Sequence, residues 1–321
     1  MTKELPICTL SVDLDNQWSY MKTHGDAGWE SFPSYLDLVV PRVLEGLDRF
    51  GWKVTFFIVG QDAALEKNRE ALQAIAAAGH EIGNHSFHHE PWLHLYTRKQ
   101  TADEIARAEE AIEAATGQRP RGFRGPGYSL SRATVEVLAE RGYLYDSSTL
   151  PTYLGPLARW YYFHTSKLTP EEKEQRRILF GGFKEGRRPL KPYLWEVGNR
   201  RLIEIPVTTM PILRLPFHFS YLLYIATYSP SLALLYFRSA LTLCRAMRVQ
   251  PSLLLHPLDF LGNDDVSELA FFPAMKLRWQ EKRQRLDWPL DNLRSRHAVL
   301  PLGPYADCMR KSSRLRSTSP D

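Results

Sequence analysis

Cysteine is scarce: 321 residues contain only Cys8, Cys244 and Cys308. Three scattered thiols exclude a disulfide framework as the organising principle and favour a reducing compartment. No Gly-rich loop precedes a lysine and threonine, no C-x-x-C pair occurs and no internal repeat is sustained, which argues against P-loop, zinc-ribbon and solenoid designs. Long apolar runs are also missing. Pro216 and Pro230 bracket the most apolar stretch, thirteen residues, too short to span a bilayer. The opening M-T-K-E-L-P-I-C lacks a basic region followed by an apolar run and a cleavage site, so a cytoplasmic protein is expected. The net charge of +5 fits an anionic partner, but no reading helix or zinc finger accompanies it, and nucleic acid is not expected.

Histidine, in contrast, is concentrated. Five of the ten fall in G-H-E-I-G-N-H-S-F-H-H-E-P-W-L-H-L, residues 79–95. His85 and His89 are four apart, a spacing that puts two imidazoles on one face of a helical turn, within reach of one cation. His80, His88 and His94 read as bystanders or as donors behind the ligands. A third ligand is not evident from this segment.

The surrounding pattern is α/β. Residues 7–12 form a short strand ending in S-V-D-L-D-N, where period two points Asp13 and Asp15 the same way, as a site at a strand end or as capping acids. Residues 33–50 show helical apolar spacing closed by Gly51, residues 54–59 read as a buried strand, and residues 62–78 return to helix before Gly79. Residues 101–116 make a charged helix, followed by R-G-F-R-G-P-G-Y, a sharp loop whose N–H groups can face a ligand, with Arg124 just before it. An irregular aromatic and basic stretch at about 150–200 reads as an insertion. The apolar segment at about 211–249 reads as packed helices or as an element resting on a membrane surface. Residues 252–255 form a strand delivering His256 into H-P-L-D-F-L, where Asp259 lies close enough to support proton transfer.

S-V-D-L-D, H-S-F-H-H, F-R-G-P-G-Y and L-L-L-H-P, in this order at strand ends, resemble the polysaccharide deacetylases of the NodB-homology group, carbohydrate esterase family 4. The resemblance implies a distorted (β/α) barrel over residues 1–262, leaving a helical extension at 263–309 and a disordered tail at 310–321. It implies that Asp15, His85 and His89 hold a divalent metal, usually zinc, that Asp13 is the general base, that Arg124 orients it and that His256 protonates the leaving amine. Leu254 would line the acetyl pocket, and Gly127 or Tyr128 would supply an oxyanion N–H; with Asp259 these form the substrate-facing set. Two departures stand out: Asp13 and Asp15 are separated by Leu14, and Gly127 intervenes between Pro126 and Tyr128. The implied activity is metal-dependent removal of an N-acyl group from an amino sugar, with a nucleotide- or lipid-linked glycan precursor as acceptor and peripheral membrane contact as an option. Deformylation, cyclic-amide hydrolysis and a non-catalytic glycan- or lipid-binding barrel are the alternatives.

Overall fold

β1 (Ile7–Leu14) is the strand from which the sheet is laid out. Cys8, Leu10, Val12 and Leu14 enter the main apolar core, and the alternation of a strand leaves Ser11 and Asp13 on the opposite face. The structure, a computed structural model, describes residues 5–157, 160, 164, 166–175, 182–272, 274–311 and 315–320.

β2 (Thr55–Ile58) and β3 (Glu81–Asn84) continue the sheet in parallel, with Asp13 beside Phe57 and Phe57 beside Gly83. Glycine is needed at position 83 because a Cβ would stand 2.5 Å from the Phe57 ring. β4 (Gly122–Phe123) and β5 (Tyr145–Asp146) follow in parallel. β6 (Tyr193–Val197) and β7 (Arg200–Glu204) form a hairpin whose β7 runs parallel to β5. Across β1 lie β8 (Ser252–Leu255), paired with Thr9 to Val12, and β9 (Ala298–Leu300), paired with Ile7 to Thr9. The order is β10-β6-β7-β5-β4-β3-β2-β1-β8, with β10 (Arg316–Thr318) at one edge. This is the expected mixed α/β architecture, and among the described residues the ladder is not closed between its two end strands.

The crossover helices follow the expected periodicity. Leu36–Asp48 buries Leu36, Val39, Val40, Val43 and Leu47, one apolar stripe at helical spacing. Arg98–Thr116 opens with a Thr97/Gln100 capping box and stops at Gly117, whose φ of 71° suits a residue without a Cβ. In the apolar segment, helices Phe219–Tyr228 and Pro230–Ala246 turn Phe219, Leu222, Leu223, Phe237 and Leu241 into the main core. No helix among the described residues is long and apolar enough to cross a membrane.

Three expectations are corrected. Residues 263–309 are not only a helical extension, since β9 pairs with β1. Helix Leu302–Arg310 also packs Leu302, Tyr305 and Ala306 against Phe57, Tyr145 and Ile203. The tail expected to be disordered carries β10, because backbone pairing with β6 orders a segment whose own side chains offer little apolar surface. His85 and His89 do not lie on a helical turn; residues 85–90 are a loop in which Ser86 and His89 adopt φ values of 63° and 54°. Within the expected insertion, Tyr161, Tyr162 and Phe163 lie outside the described residues.

Glu81 ties the C-terminal helix to the strand starts. Its carboxylate accepts the Gly303 N–H at 2.8 Å, the Thr55 hydroxyl at 2.6 Å and the Tyr145 hydroxyl at 3.1 Å. Glu81→Ala strands these donors and is expected to lower the unfolding free energy by about 2–4 kcal/mol in urea titrations. A loss below about 0.5 kcal/mol, typical of a neutral surface change, would show that this anchor does not hold the C-terminal segment.

Candidate active site

Asp13 leaves the C-terminal end of β1 on the face opposite the main core and meets Arg124, the first residue after β4. Both are almost wholly buried, at 4% and 0% exposure. The guanidinium donates to the Asp13 carboxylate, to Ser11 Oγ at 2.8 Å, to the Ser147 carbonyl at 3.0 Å and to Ser147 Oγ at 2.9 Å, and it lies 4.3 Å over the Phe57 ring. A charge-assisted hydrogen bond between two buried groups holds the carboxylate in one orientation.

Asp15, His85 and His89 converge beside this pair. Each offers one ligand atom within 4.8 Å of the others, and all three are buried. His89 Nε2 and His85 Nε2 stand 3.0 Å and 3.3 Å from the same Asp15 oxygen. His85 Nδ1 is 2.6 Å from the Arg124 carbonyl, which can only accept, so Nδ1 carries the proton and Nε2 keeps its lone pair. Burial acts to raise the Asp15 pKa, but the adjacent imidazoles, His89 foremost, hold it well below the usual carboxylate range. Burial likewise acts to lower His85, and the Asp15 contact, the Asp13 and Asp15 charges and the Arg124 carbonyl together outweigh that and raise it. One ionised oxygen and two imidazole nitrogens suit a borderline divalent cation such as zinc, and an open-sided set of three leaves room for water or substrate. The donor set therefore fits the metal that the resemblance implies.

The loop that carries the histidines is held by its own hydrogen bonds. Glu104 accepts from the Phe87 and His88 N–H groups at 3.0 Å and 2.6 Å and lies 2.6 Å from His88 Nδ1, while Asn84 Oδ1 takes the Ser86 N–H at 2.8 Å. The three bystander histidines have partners elsewhere. His80 Nδ1 accepts the Val54 N–H, His88 is held by Glu104, and His94 bonds Ser129.

The substrate-facing set is less uniform. Leu254 is fully buried, pairs in register with Ser11 and, unlike Leu253 and Leu255, stands apart from the main core cluster, which puts it on the Asp13 face. Gly127 and Tyr128 both sit in left-handed backbone, and the Tyr128 N–H is already engaged by the Gly125 carbonyl at 3.0 Å. Burial, with the nearby Asp13 charge next, raises the Tyr128 phenol well above its ordinary pKa. His256 follows β8, with its ring 5.7 Å from that of His218. Asp259 is buried and accepts the His256 backbone N–H at 2.8 Å.

Sequence reading missed several members. Asp62 Oδ1 accepts from Asn16 at 2.7 Å, Trp18 at 2.9 Å and Asn68 at 3.1 Å, and the Trp18 ring lies edge-on to His89 at 6.5 Å. Burial pushes the Asp62 carboxyl up to about 7 despite those donors. Tyr35 donates to the Asp15 carbonyl at 2.6 Å. Burial, then the charges of His256 and Arg124, hold the His218 imidazole well below its usual range. None of these has a local pattern; each is recruited from a distant element.

A family model for polysaccharide deacetylase matches residues 26–145. This stretch of the chain is similar to the polysaccharide deacetylases. A peptidoglycan deacetylase of Helicobacter pylori is 29% identical over 157 residues, 47% of this chain and 51% of that protein. A peptidoglycan deacetylase-like protein of Gibberella zeae is 38% identical over 111 residues, 34% of this chain and 32% of that one. A peptidoglycan-N-acetylglucosamine deacetylase of Bacillus cereus is 34% identical over 104 residues, 32% and 37% respectively. The chain thus spans about half or less of the length of these relatives. A crystal structure of a provisionally named polysaccharide deacetylase from Mycobacterium smegmatis superposes with a TM-score of 0.62 at 21% identity, over 99% of this chain and 98% of that one, and shows the same fold.

The buried Asp13–Arg124 pair gives a stability prediction. Arg124→Ala leaves Asp13 buried and unpaired and is expected to cost about 3–5 kcal/mol in chemical denaturation. Retained wild-type stability would mean that Asp13 finds a second partner or solvent.

Proposed function

We propose that this chain hydrolyses the amide of an N-acylated amino sugar, acetyl being the expected acyl group. The carrying observation is the placement of Asp15, His85 and His89 within 4.8 Å of one another beside an Asp13 carboxylate fixed by Arg124. A divalent cation held by those three residues, zinc being the expected ion, supplies Lewis-acid activation of water and of the substrate carbonyl.

The chain's own groups then divide the proton work. Asp13, oriented by Arg124, takes a proton from the attacking water as the new carbon–oxygen bond forms. The turn after Gly125 offers a backbone N–H to the carbonyl oxygen as it gains charge, and Gly127 is the favoured donor because the Tyr128 N–H is engaged. His256 gives a proton to the amine nitrogen as the carbon–nitrogen bond breaks, releasing carboxylate and free amine. Leu254 lines the acyl side of the cleft.

For the acceptor we infer a nucleotide- or lipid-linked glycan precursor. In support, helix Phe219–Tyr228 exposes Tyr224 and Tyr228, four and eight residues on from the Ser220 that lies beside His256, and helix Pro230–Ala246 exposes Leu232 and Leu235. Exposed apolar side chains on the helix that reaches His256 suit an amphipathic acceptor. The basic run before it contributes less than its charge suggests, since Arg188 is paired with Glu185 and stacked on Trp195.

Metal analysis and turnover test the reading together. His85→Ala is expected to lose the bound ion and His88→Ala to keep it, whereas Asp13→Asn and His256→Ala keep the ion but lose turnover by about a hundredfold or more. The substrates are acetylated and formylated amino sugars, free, nucleotide-linked and lipid-linked, with acetate or formate release as the readout. Metal retention without release from any of them would favour a binding barrel, and release of formate alone would make the chain a deformylase.

A further inference from the structure

The two imidazoles of the candidate metal site are not held alike. His85 Nδ1 meets the Arg124 carbonyl at 2.6 Å, whereas His89 Nδ1 is buried with no hydrogen-bond partner among the described residues. A ligating imidazole is ordinarily oriented by an acceptor for its second N–H, so at His89 the orientation of the ring is left to packing. Against it lie His85, ring centroids 5.1 Å apart, and Trp18, edge-on at 6.5 Å. Trp18 is itself buried, and its indole N–H donates to Asp62 Oδ1 at 2.9 Å.

The same Asp62 oxygen governs the residue that follows Asp15. Asn16, fully buried, uses both protons of its amide nitrogen, one to Asp62 Oδ1 at 2.7 Å and one to Ser34 Oγ at 2.9 Å. Its amide oxygen accepts the Gln17 and Tyr35 N–H groups at 2.8 Å and 3.2 Å. Ser34 donates in turn to Asn68 Oδ1 at 2.7 Å, and Asn68 Nδ2 returns to Asp62, to Oδ1 at 3.1 Å and to the backbone carbonyl at 3.2 Å. The circuit closes with donors and acceptors in one consistent direction, and it grips the backbone just past Asp15, whose carbonyl takes the Tyr35 hydroxyl at 2.6 Å. Asp62 Oδ2 is buried without a partner among the described residues, so Oδ1 does the accepting whether or not Oδ2 carries a proton.

We propose that Asp62 is a positioning residue for the metal site, holding Asp15 in place through Asn16 and the His89 ring in place through Trp18. This rests on the reading of Asp15, His85 and His89 as ligands. Asp62 comes from the short helix Gly60–Ala63 that follows β2, the strand beside β1, so one carboxyl oxygen refers two ligands from separate segments to the same point. Its three side-chain donors are neutral amide and indole groups. The task therefore needs an acceptor at that point and not a charge, which is the basis for expecting an asparagine to perform it.

The test is zinc affinity, read on the full chain by competition with a chromogenic chelator, with the cobalt(II) absorption spectrum as a report on ligand geometry. Asp62→Ala is expected to weaken zinc binding about 10- to 100-fold and to change the cobalt spectrum, and Asp62→Asn, which keeps an oxygen in the accepting position, to restore both. Trp18→Phe keeps a ring beside His89 but removes its anchor, and is expected to weaken zinc about tenfold; it deletes one hydrogen bond, so it reads the proposal even where Asp62→Ala does not fold. Wild-type affinity and spectrum in Asp62→Ala overturn the proposal, whatever its stability in urea, as does an Asp62→Asn protein as weak as Asp62→Ala. Wild-type affinity in Trp18→Phe overturns the His89 arm. The two readings fail separately: zinc retained by His85→Ala removes the ligand set, whereas zinc lost from His85→Ala but bound normally by Asp62→Ala removes only the role of Asp62.

Discussion

The site depends on one buried arginine. Arg124 uses its guanidinium to fix Asp13, Ser11 and Ser147, its carbonyl to fix the tautomer of His85, and its N–H to reach the Asn84 carbonyl at 3.0 Å. The Asp13 carboxylate, one candidate metal ligand and three strand ends are thus referred to the same residue. Burying such a charge is unfavourable unless its donors are met, and the guanidinium makes four hydrogen bonds to groups that only accept or can accept. The result is that the carboxylate and the imidazole cannot drift independently.

Support for Arg124 comes from a second buried layer. Asp146 and Glu204 face each other in register across β5 and β7, both fully buried. Burial, then for Glu204 the charge of Asp146, raises both carboxyl groups, as expected of two acids that cannot both ionise in a dry site. Asp146 holds Ser148, whose Oγ accepts the Gly125 N–H at 2.8 Å, so the pair anchors the turn that follows Arg124. Left-handed backbone at Ser86, His89 and Tyr128 collects at the same place. Such conformations are unfavourable for residues with a Cβ and persist where surrounding bonds over-determine them.

The sequence carried the elements and the chemistry better than the geometry. Strand-end acids, a histidine cluster and a glycine-rich turn after a strand are local patterns, and they lie where the spacing placed them. Helical i, i+4 geometry was the wrong reason for His85 and His89 to meet, because a left-handed Ser86 turns the loop and Glu104 pins it. Asp15 lies one residue past β1, where its N–H bonds back to the Asp13 carbonyl at 2.9 Å, so a turn rather than strand alternation aims it. Ser220, His218 and Asp62 were not legible at all. Each looks like an ordinary helix or loop residue until folding brings it against a partner dozens of positions away. The tail failed for a related reason: β10 is ordered by an edge strand, and composition alone does not reveal an available edge.

The most direct test of the account is where a metal sits. Crystals of the full chain grown with one equivalent of zinc, measured at the zinc absorption edge, are expected to show one strong anomalous peak bounded by an Asp15 oxygen, His85 Nε2 and His89 Nε2, with the Asp13 carboxylate beside it and still bonded to Arg124. A principal peak elsewhere, or one liganded by His88 or Asp13 in place of those three, would contradict it.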